Sequence, residues 1–497
     1  MPKTAVLVID LGTTVLKTSL FDFRCRLLDR VECPHSTSGN DLGSAARRWW
    51  AIIVNSACQL TQRNPGVEVA VIGLTGYMHA AVALDGAGEP IAFQPDPALA
   101  RACFDALIDR FGARELYTIT GSRMDVTSVP PQLAAWRSAN ARAYAALRTI
   151  LPVKDFLRFR LTGEIATDPI DACGSMFYDV NRAQWDPALL AWCGLETSNL
   201  PPVLACTALA GRLTRAAAAE LNLAAGTPVA VGGGDDIEII GSGARSPNEL
   251  CEHVGTTGSF LVASRGARSD PSMRLEVYPG IADGEWITGA SCNNVARALD
   301  WFLASSSYCS NGCLDWSRVQ ADLDRALPRM GSASPLFLPY LTGERAPLWD
   351  PDLSACWFGL RSSHSQADLL ASVVEGICFS LRNLFDSFAP LGLEIQRVFS
   401  SGGLNQLDTL ALRASIYSRP IRIVRGSDPT SYASAALALT SIGELADPWE
   451  ASAWLECAPA VEPDPQWQSL LDERYSRFVA HTQALQSANE ECAPGLV

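Results

Sequence analysis

Two acids, Asp235 and Asp236, follow directly on three glycines, Gly232–Gly234, and a β-type apolar run, Pro228–Val231, precedes them. The order reads as strand, glycine turn, acid, buried helix. It places a carboxylate at the carboxyl end of a strand, where open α/β sheets bind ligands. Three glycines clear side chains from the turn, so another molecule can approach the backbone. An acid there, near a helix N-terminus, can act as a base or stand beside a metal. For Asp236 a first-turn acid following an N-cap is an equal account. For Asp235 chemistry is the stronger expectation, because of what lies twenty residues on.

There the chain reads Cys251-Glu-His-Val-Gly-Thr-Thr-Gly-Ser-Phe-Leu-Val-Ala263, a strand, a tight polar turn and a strand. Val6 to Asp22 has the same plan around Gly12-Thr13-Thr14. Glycine, threonine and backbone N–H groups at a turn suit phosphate oxygens. An ordinary two-residue hairpin would favour Asn-Gly or Asp-Gly instead. Two hairpins with one polar tip, Gly12-Thr13-Thr14 and Gly255-Thr256-Thr257, are better explained by one ligand gripped from both sides. Asp10, one turn before the first tip, would reach Mg²⁺ through water in a nucleotide site, or else satisfy local N–H groups as a turn aspartate. Lys17 follows Leu16 and Lys154 follows Val153, so no Gly-Lys-Ser/Thr stands in the chain and any ATP binds without a P-loop.

Two further strand ends carry polar groups. Ser400-Ser-Gly-Gly-Leu-Asn405 ends a strand in two glycines, which lets a flat ring lie against backbone; a plain β–α turn is the simpler account. Gly76-Tyr-Met-His79 puts a thioether, Met78, and an imidazole, His79, at a strand end in the first half.

These motifs need sheets to hold them. Val6–Ile9, Lys17–Phe21 and Leu27–Glu32 read as a β-meander, Ala45–Gln62 as an amphipathic helix, and Glu68–Gly73 and Ala80–Leu84 as strands. Val153–Glu164 reads as a helix closed at Gly163. Gly243–Glu249 has turn composition, and the chain then restarts with strands. Helices are expected at Asn293–Leu303, Gln366–Phe388 and Ser431–Ile442, and strands at Pro335–Pro339, Val398–Gly403 and Pro420–Val424. Each half opens with a Gly-Thr-Thr hairpin and continues with alternating β and α elements, so a ligand belongs in the cleft between them. The expected domains are residues 1–246 and 247–497.

Composition narrows the classes. A chain of 497 residues, 48% hydrophobic and 19% charged, fits a two-domain globular enzyme. A net charge of −14 argues against non-specific binding to nucleic acid or an anionic membrane. The start has no signal-peptide layout, and no run of eighteen apolar residues suggests a span. Fifteen scattered cysteines without a Cys-x-x-Cys pair read as reduced thiols in a cytoplasmic protein. Five widely spaced histidines argue against a structural metal site.

Together the motifs resemble those of the FGGY carbohydrate kinases, of the actin-like superfold, over nearly the whole chain. Asp10-Leu-Gly-Thr-Thr is similar to the family's first phosphate motif, Gly255-Thr-Thr-Gly to the second, Ser401-Gly-Gly-Leu-Asn405 to its adenosine motif, and Gly232-Gly-Gly-Asp235 to the segment of its catalytic base. Lys154–Glu164, Leu338–Pro347, Ala355–Leu360 and Asp368–Glu375 resemble further family blocks. The resemblance implies a two-domain α/β, ribonuclease H-like sugar kinase fold with the site in the interdomain cleft. It implies ATP and Mg²⁺ as cofactors and a small sugar as partner, and it is compatible with a homodimer. Asp235 would be the base and, with Asp10, a metal ligand. Gly12, Thr13, Thr14, Lys17, Gly255, Thr256, Thr257, Gly402, Gly403 and Asn405 would hold ATP. Met78, His79, Asp96, Asp235 and Asp236 would hold the sugar. Gly76–His79 is most similar to the Gly-Gln-Met-His motif of the xylulose kinase branch, so D-xylulose, giving D-xylulose 5-phosphate, is the first acceptor expected. The family's Trp-x-Asp-x-Arg stretch matches Gln94-Pro-Asp96-Pro-Ala98, which keeps the acid and loses both Trp and Arg. Tyr77 for Gln and Asp236 for Asn are further departures at the sugar end. Erythritol, gluconate, an L-ketose or a signalling sugar therefore stands as an alternative acceptor. A non-catalytic nucleotide clamp is the rival of another class, but a clamp needs no hydroxyl base such as Asp235.

Overall fold

The computed structural model describes residues 3–36, 41–268, 270–310, 313–426 and 428–492. Lys3–Leu11 (β1) is an apolar run buried on both faces from Ala5 to Ile9, as a central strand covered on two sides requires. It pairs antiparallel with Val15–Phe21 (β2), which pairs with Leu27–Pro34 (β3), and runs parallel to Val67–Gly76 (β4). Leu209–Arg212 (β5), Pro228–Ala230 (β6) and Gly233–Gly234 (β7) complete the first sheet, in the order β3-β2-β1-β4-β6-β5 with β7 beside β4.

The second sheet contains Glu249–Val254 (β8), Gly258–Arg265 (β9), Glu276–Pro279 (β10), Glu285–Cys292 (β11), Arg397–Ser401 (β12), Ile421–Arg425 (β13) and Glu456–Cys457 (β14). Its order is β10-β11-β9-β8-β12-β13-β14. In both sheets one strand stands between its own hairpin partner and a parallel strand: β2-β1-β4 and β9-β8-β12. The repeated Gly-Thr-Thr tips are therefore topological equivalents. Ala81–Leu84, expected as the next strand, pairs with Thr149–Pro152 apart from the main sheet.

The helices that matter to the site are Leu42–Arg63 (α1), Pro97–Phe111 (α2), Val153–Thr162 (α3), Glu238–Ser242 (α4), Gln366–Phe385 (α5), Pro429–Ser441 (α6) and Pro465–Cys492 (α7). Asp41 caps α1 by accepting from the Gly43 N–H, and Ala45, Trp49, Ile53, Ala57 and Leu60 bury its inner face. Burying one such large apolar side chain stabilises the fold by about 1.5–3 kcal/mol. Gly163 ends α3 in the left-handed conformation, as its composition predicts.

Two helices depart from expectation. The segment expected at Ser431–Ile442 begins at Pro429, capped by Asp428, and packs not on the second sheet but against α4, β1 and β4 of the first. No element was expected past Gly443, yet α7 lies there. It is anchored by Arg474, whose buried guanidinium bonds Glu375 of α5 at 2.5 and 2.6 Å and the carbonyl oxygen of Gly331 at 2.7 Å.

Candidate active site

Gly232 has φ +72°, and a Cβ there would lie 2.0 Å from the Leu74 carbonyl oxygen, so the position demands glycine. This close approach lays β7 along β4 and delivers Asp235 at the start of a 3₁₀ turn leading into α4. The Met78 N–H bonds the Asp235 carboxyl, and Met78 itself packs on Gly234. Burial first, then the nearby Glu238 and Asp10 carboxyls, raise Asp235 to about 7. Such a group can take up a proton near neutral pH. The turn is braced from below: Lys154 and Arg158 donate to the Val231 carbonyl at 3.3 and 3.4 Å. Asp155, Asp168 and Asp171 are close enough together to hold a metal, but the Lys154 ammonium sits 2.5, 2.9 and 3.2 Å from them and supplies the positive charge.

Asp10 is buried at the end of β1, and burial with the Asp428 charge raises it to about 6. Its Oδ2 accepts from the Ser431 hydroxyl at 2.8 Å and lies 3.8 Å from Lys17 Nζ. Lys17 also bonds Asp428, the cap of α6. Burial lowers the Lys17 pKa, and Asp10 and Asp428 outweigh it, so the ammonium is held charged. Above the site, Glu238 is raised to about 8 by burial; it faces the Ser259 hydroxyl and lies 3.7 Å from His253 Nδ1. Asp10, Glu238 and Asp428 thus gather around Lys17, and Asp235 stands beside Asp10 and Glu238. The residues missing from the sequence reading are Glu238, His253, Asp428 and Ser431. The Asp428-Pro429 pair, an N-cap followed by Pro at the first helical position, was the one legible signal.

At the first tip, the Gly12 N–H bonds the Val15 carbonyl at 3.1 Å, and the His35 ring bonds the Gly12 carbonyl at 2.9 Å, leaving Thr13 and Thr14 exposed. At the second, the Gly255 N–H bonds the Thr257 carbonyl at 3.0 Å, and a helix over Ala296–Ala304 begins on the Gly255 and Thr256 carbonyls. Gly402 has φ +102°, and a Cβ would meet the Val254 carbonyl carbon at 2.6 Å, so the turn after β12 presses against β8. The result is a cavity of about 310 Å³ lined by Gly255, Thr256, Gly403, Asp300, Gln406 and the half-exposed Trp316. Asn405 does not serve it: its side chain bonds Ser400 at 3.1 Å and accepts from buried Arg413 at 2.7 Å.

A second cavity, of about 520 Å³, opens beside the Gly76–His79 motif. His79 lies on its wall, with a left-handed backbone, φ +64°, that turns the chain out of β4. Met78 stands between this wall and the Asp235 turn. Two expected sugar ligands are engaged elsewhere. The Asp96 carboxylate is exposed and caps α2, accepting from the Ala98 and Leu99 N–H groups at 2.8 and 3.0 Å. The Asp236 carboxylate accepts from the Tyr278 hydroxyl of β10. Burial and the Asp235 charge push Asp236 well above the carboxylate range.

A buried carboxyl on a glycine turn, two topologically equivalent hairpin tips, and two cavities, one beside the second tip and one beside the Gly76–His79 motif, make up the candidate site. Residues 5–239 match the N-terminal domain, and residues 253–442 the C-terminal domain, of the FGGY family of carbohydrate kinases. The chain belongs to that family. It is similar to the xylulose kinase of Klebsiella pneumoniae, 28% identical over 406 residues that span 80% of this chain and 81% of that protein. In fold it matches a xylulose kinase from Lactobacillus acidophilus, with a TM-score of 0.89 at 21% identity, covering 98% of this chain and 99% of that one. A gluconate kinase from the same organism matches equally, with a TM-score of 0.88 at 21% identity over 97% and 98%. Among the described residues no helix is long and apolar enough to cross a membrane, and the fourteen described cysteines are free.

Proposed function

We propose that the chain transfers the γ-phosphoryl group of ATP to a terminal hydroxyl of a small open-chain sugar, D-xylulose being the reference acceptor. The observation that carries this reading is Asp235, a carboxyl raised to about 7 by burial and by the nearby Glu238 and Asp10, held by the N–H of Met78, the residue before the cavity-lining His79. Asp235 takes the hydroxyl proton as the acceptor oxygen attacks. The tips at Gly12–Thr14 and Gly255–Thr257 bind the β- and γ-phosphates through backbone N–H groups and threonine hydroxyls, and Lys17 offsets part of their charge. The transition state is loose, so positioning and charge compensation supply most of the rate. The cavity at Trp316 and Gly403 accommodates the base and ribose.

The residues present fit Mg²⁺. Asp10 and Asp235 are hard oxygen donors whose protons are retained partly because other acids crowd them, and a divalent cation relieves that crowding. When bound it supplies charge compensation for the phosphates. The discriminating experiment is coupled-assay turnover on ketoses, polyols and sugar acids. Absence of ATP consumption with every acceptor would favour a nucleotide clamp instead. A second acceptor class is supported by one observation: the wall next to His79 is rebuilt where the family's Trp-x-Asp-x-Arg stretch has lost its Trp and Arg.

A further inference from the structure

The acceptor cavity has an unusual charge for this protein. The chain carries 53 Asp and Glu against 39 Lys and Arg, yet among the described residues the cavity wall holds no carboxylate and one guanidinium, that of Arg101. Because Asp96 caps α2 at its start, Pro97, Ala100 and Arg101 fall on one side of the helix and face the cavity together. Arg101 makes no ion pair or hydrogen bond among the described residues. It stands one turn beyond Ala98, the position at which the arginine of the stretch is lost.

The Tyr77 hydroxyl is buried and has no hydrogen-bond partner among the described residues, while its ring is fixed edge-on against Trp49 at 6.2 Å. That oxygen is closed to solvent, so it is the half-buried ring of Tyr77, and not its hydroxyl, that lines the cavity. The remaining polar wall groups, Thr127, Gln132 and His79, are neutral or can donate, and Leu42, Phe93, Val126 and Val129 keep the surroundings apolar. Arg101 is exposed and, among the described residues, without a partner, so its fork is open to both oxygens of a carboxylate.

We infer that the acceptor is an anionic sugar acid, a polyhydroxy carboxylate whose carboxylate meets Arg101 while its far hydroxyl lies at Asp235. The inference rests on the kinase reading above and specifies its acceptor. The test compares the matched five-carbon pair D-xylulose and D-xylonate, with D-gluconate as a longer acid, by turnover and by calorimetric binding. At least one acid exceeds D-xylulose in kcat/KM by roughly tenfold or more, the worth of one charge-assisted pair. Arg101→Met weakens binding of that acid by about 10–100-fold and acts mainly through KM, because the guanidinium is remote from the reacting hydroxyl. Arg101→Lys recovers part of the loss, since it restores the charge without the fork. Preference for D-xylulose over both acids, or an Arg101→Met protein that binds them as tightly as wild type, overturns the inference. If no acceptor consumes ATP the kinase reading falls, and calorimetry on the acids still decides the Arg101 site by itself.

Discussion

The Ser431 hydroxyl donates to Asp10 Oδ2 at 2.8 Å, across 421 positions of sequence. The acid at the end of the first strand is thus oriented by the helix that follows the thirteenth. Lys17 and Asp428 repeat the link beside it. The phosphate-facing edge of the first half is therefore assembled with residues that the chain supplies near its end.

Replacing the base is the most direct check on the chemistry. Asp235→Asn keeps the shape of the turn and its Met78 contact, so ATP affinity stays near wild type while kcat falls by about 10²–10⁴-fold. Steady-state kinetics with calorimetry on ATP measure both. A folded variant with a normal rate would remove Asp235 from the mechanism.

The second hairpin tip gives a binding prediction. Thr256→Val deletes a hydroxyl beside the Trp316 cavity and weakens ATP by roughly tenfold, about one charge-assisted hydrogen bond. Acceptor binding without nucleotide is unchanged. Unaltered ATP affinity by calorimetry would place the tip outside the site.

Glu238 sets a pH dependence of stability. Burial holds its carboxyl at about 8, against an ordinary 4.5; the groups facing it are Ser259, His253, Asp428, Lys17 and Asp10. Between those values the folded state keeps a proton that the unfolded chain has lost, so stability falls as pH rises from about 4.5 to about 8. Glu238→Gln stays neutral throughout. Its melting temperature should decline less than that of wild type from pH 5 to 8, and parallel curves would contradict the buried neutral carboxyl.

The C-terminal helix is tested by Arg474→Met, which leaves Glu375 buried without its partner. The expected cost is about 3–5 kcal/mol. Urea denaturation reads it as a lowered midpoint, and a change under 1 kcal/mol would show that α7 is held by its apolar contacts alone.

Hinge closure follows from the placement of the two cavities. A sugar near His79 and a nucleotide near Thr256 react when the halves approach and exclude water. Small-angle scattering should give a modestly lower radius of gyration with acceptor plus a non-hydrolysable ATP analogue than without ligand. Superimposable profiles at saturation would mean a preformed cleft.

Much of this was legible in the chain because it rests on local rules. Gly-Thr-Thr between apolar runs is a hairpin wherever it occurs, and glycines before Asp235 permit a close strand approach at Gly232. The failures have equally physical causes. Asp96 precedes a proline, and Asp-Pro is a helix start, so its Oδ1 caps α2 through the Ala98 and Leu99 N–H groups. Asn405 is engaged by Arg413, a partner that local pattern does not specify. Trp316 and Arg101 gain their roles from tertiary packing. The C-terminal helix does carry a periodic signal, Leu471, Tyr475 and Phe478 on one buried face, and went unread all the same; its anchor, Arg474, gains its partner only from tertiary packing.

The route of α6 has a mechanical consequence. The chain leaves the second sheet after β13, lays α6 on the first, and returns at β14. The return passes beside the first crossing: Leu455 abuts Gly243, and Arg245 pairs with Asp447 at 3.1 Å. The other crossing, from β13 into α6, is fastened to the first sheet at its end by the Lys17–Asp428 pair. A body pinned at two places keeps one angular freedom, like a door on its frame. Opening and closing then trace a single coordinate, and distances measured across the cleft from any pair of labels should rise and fall in step.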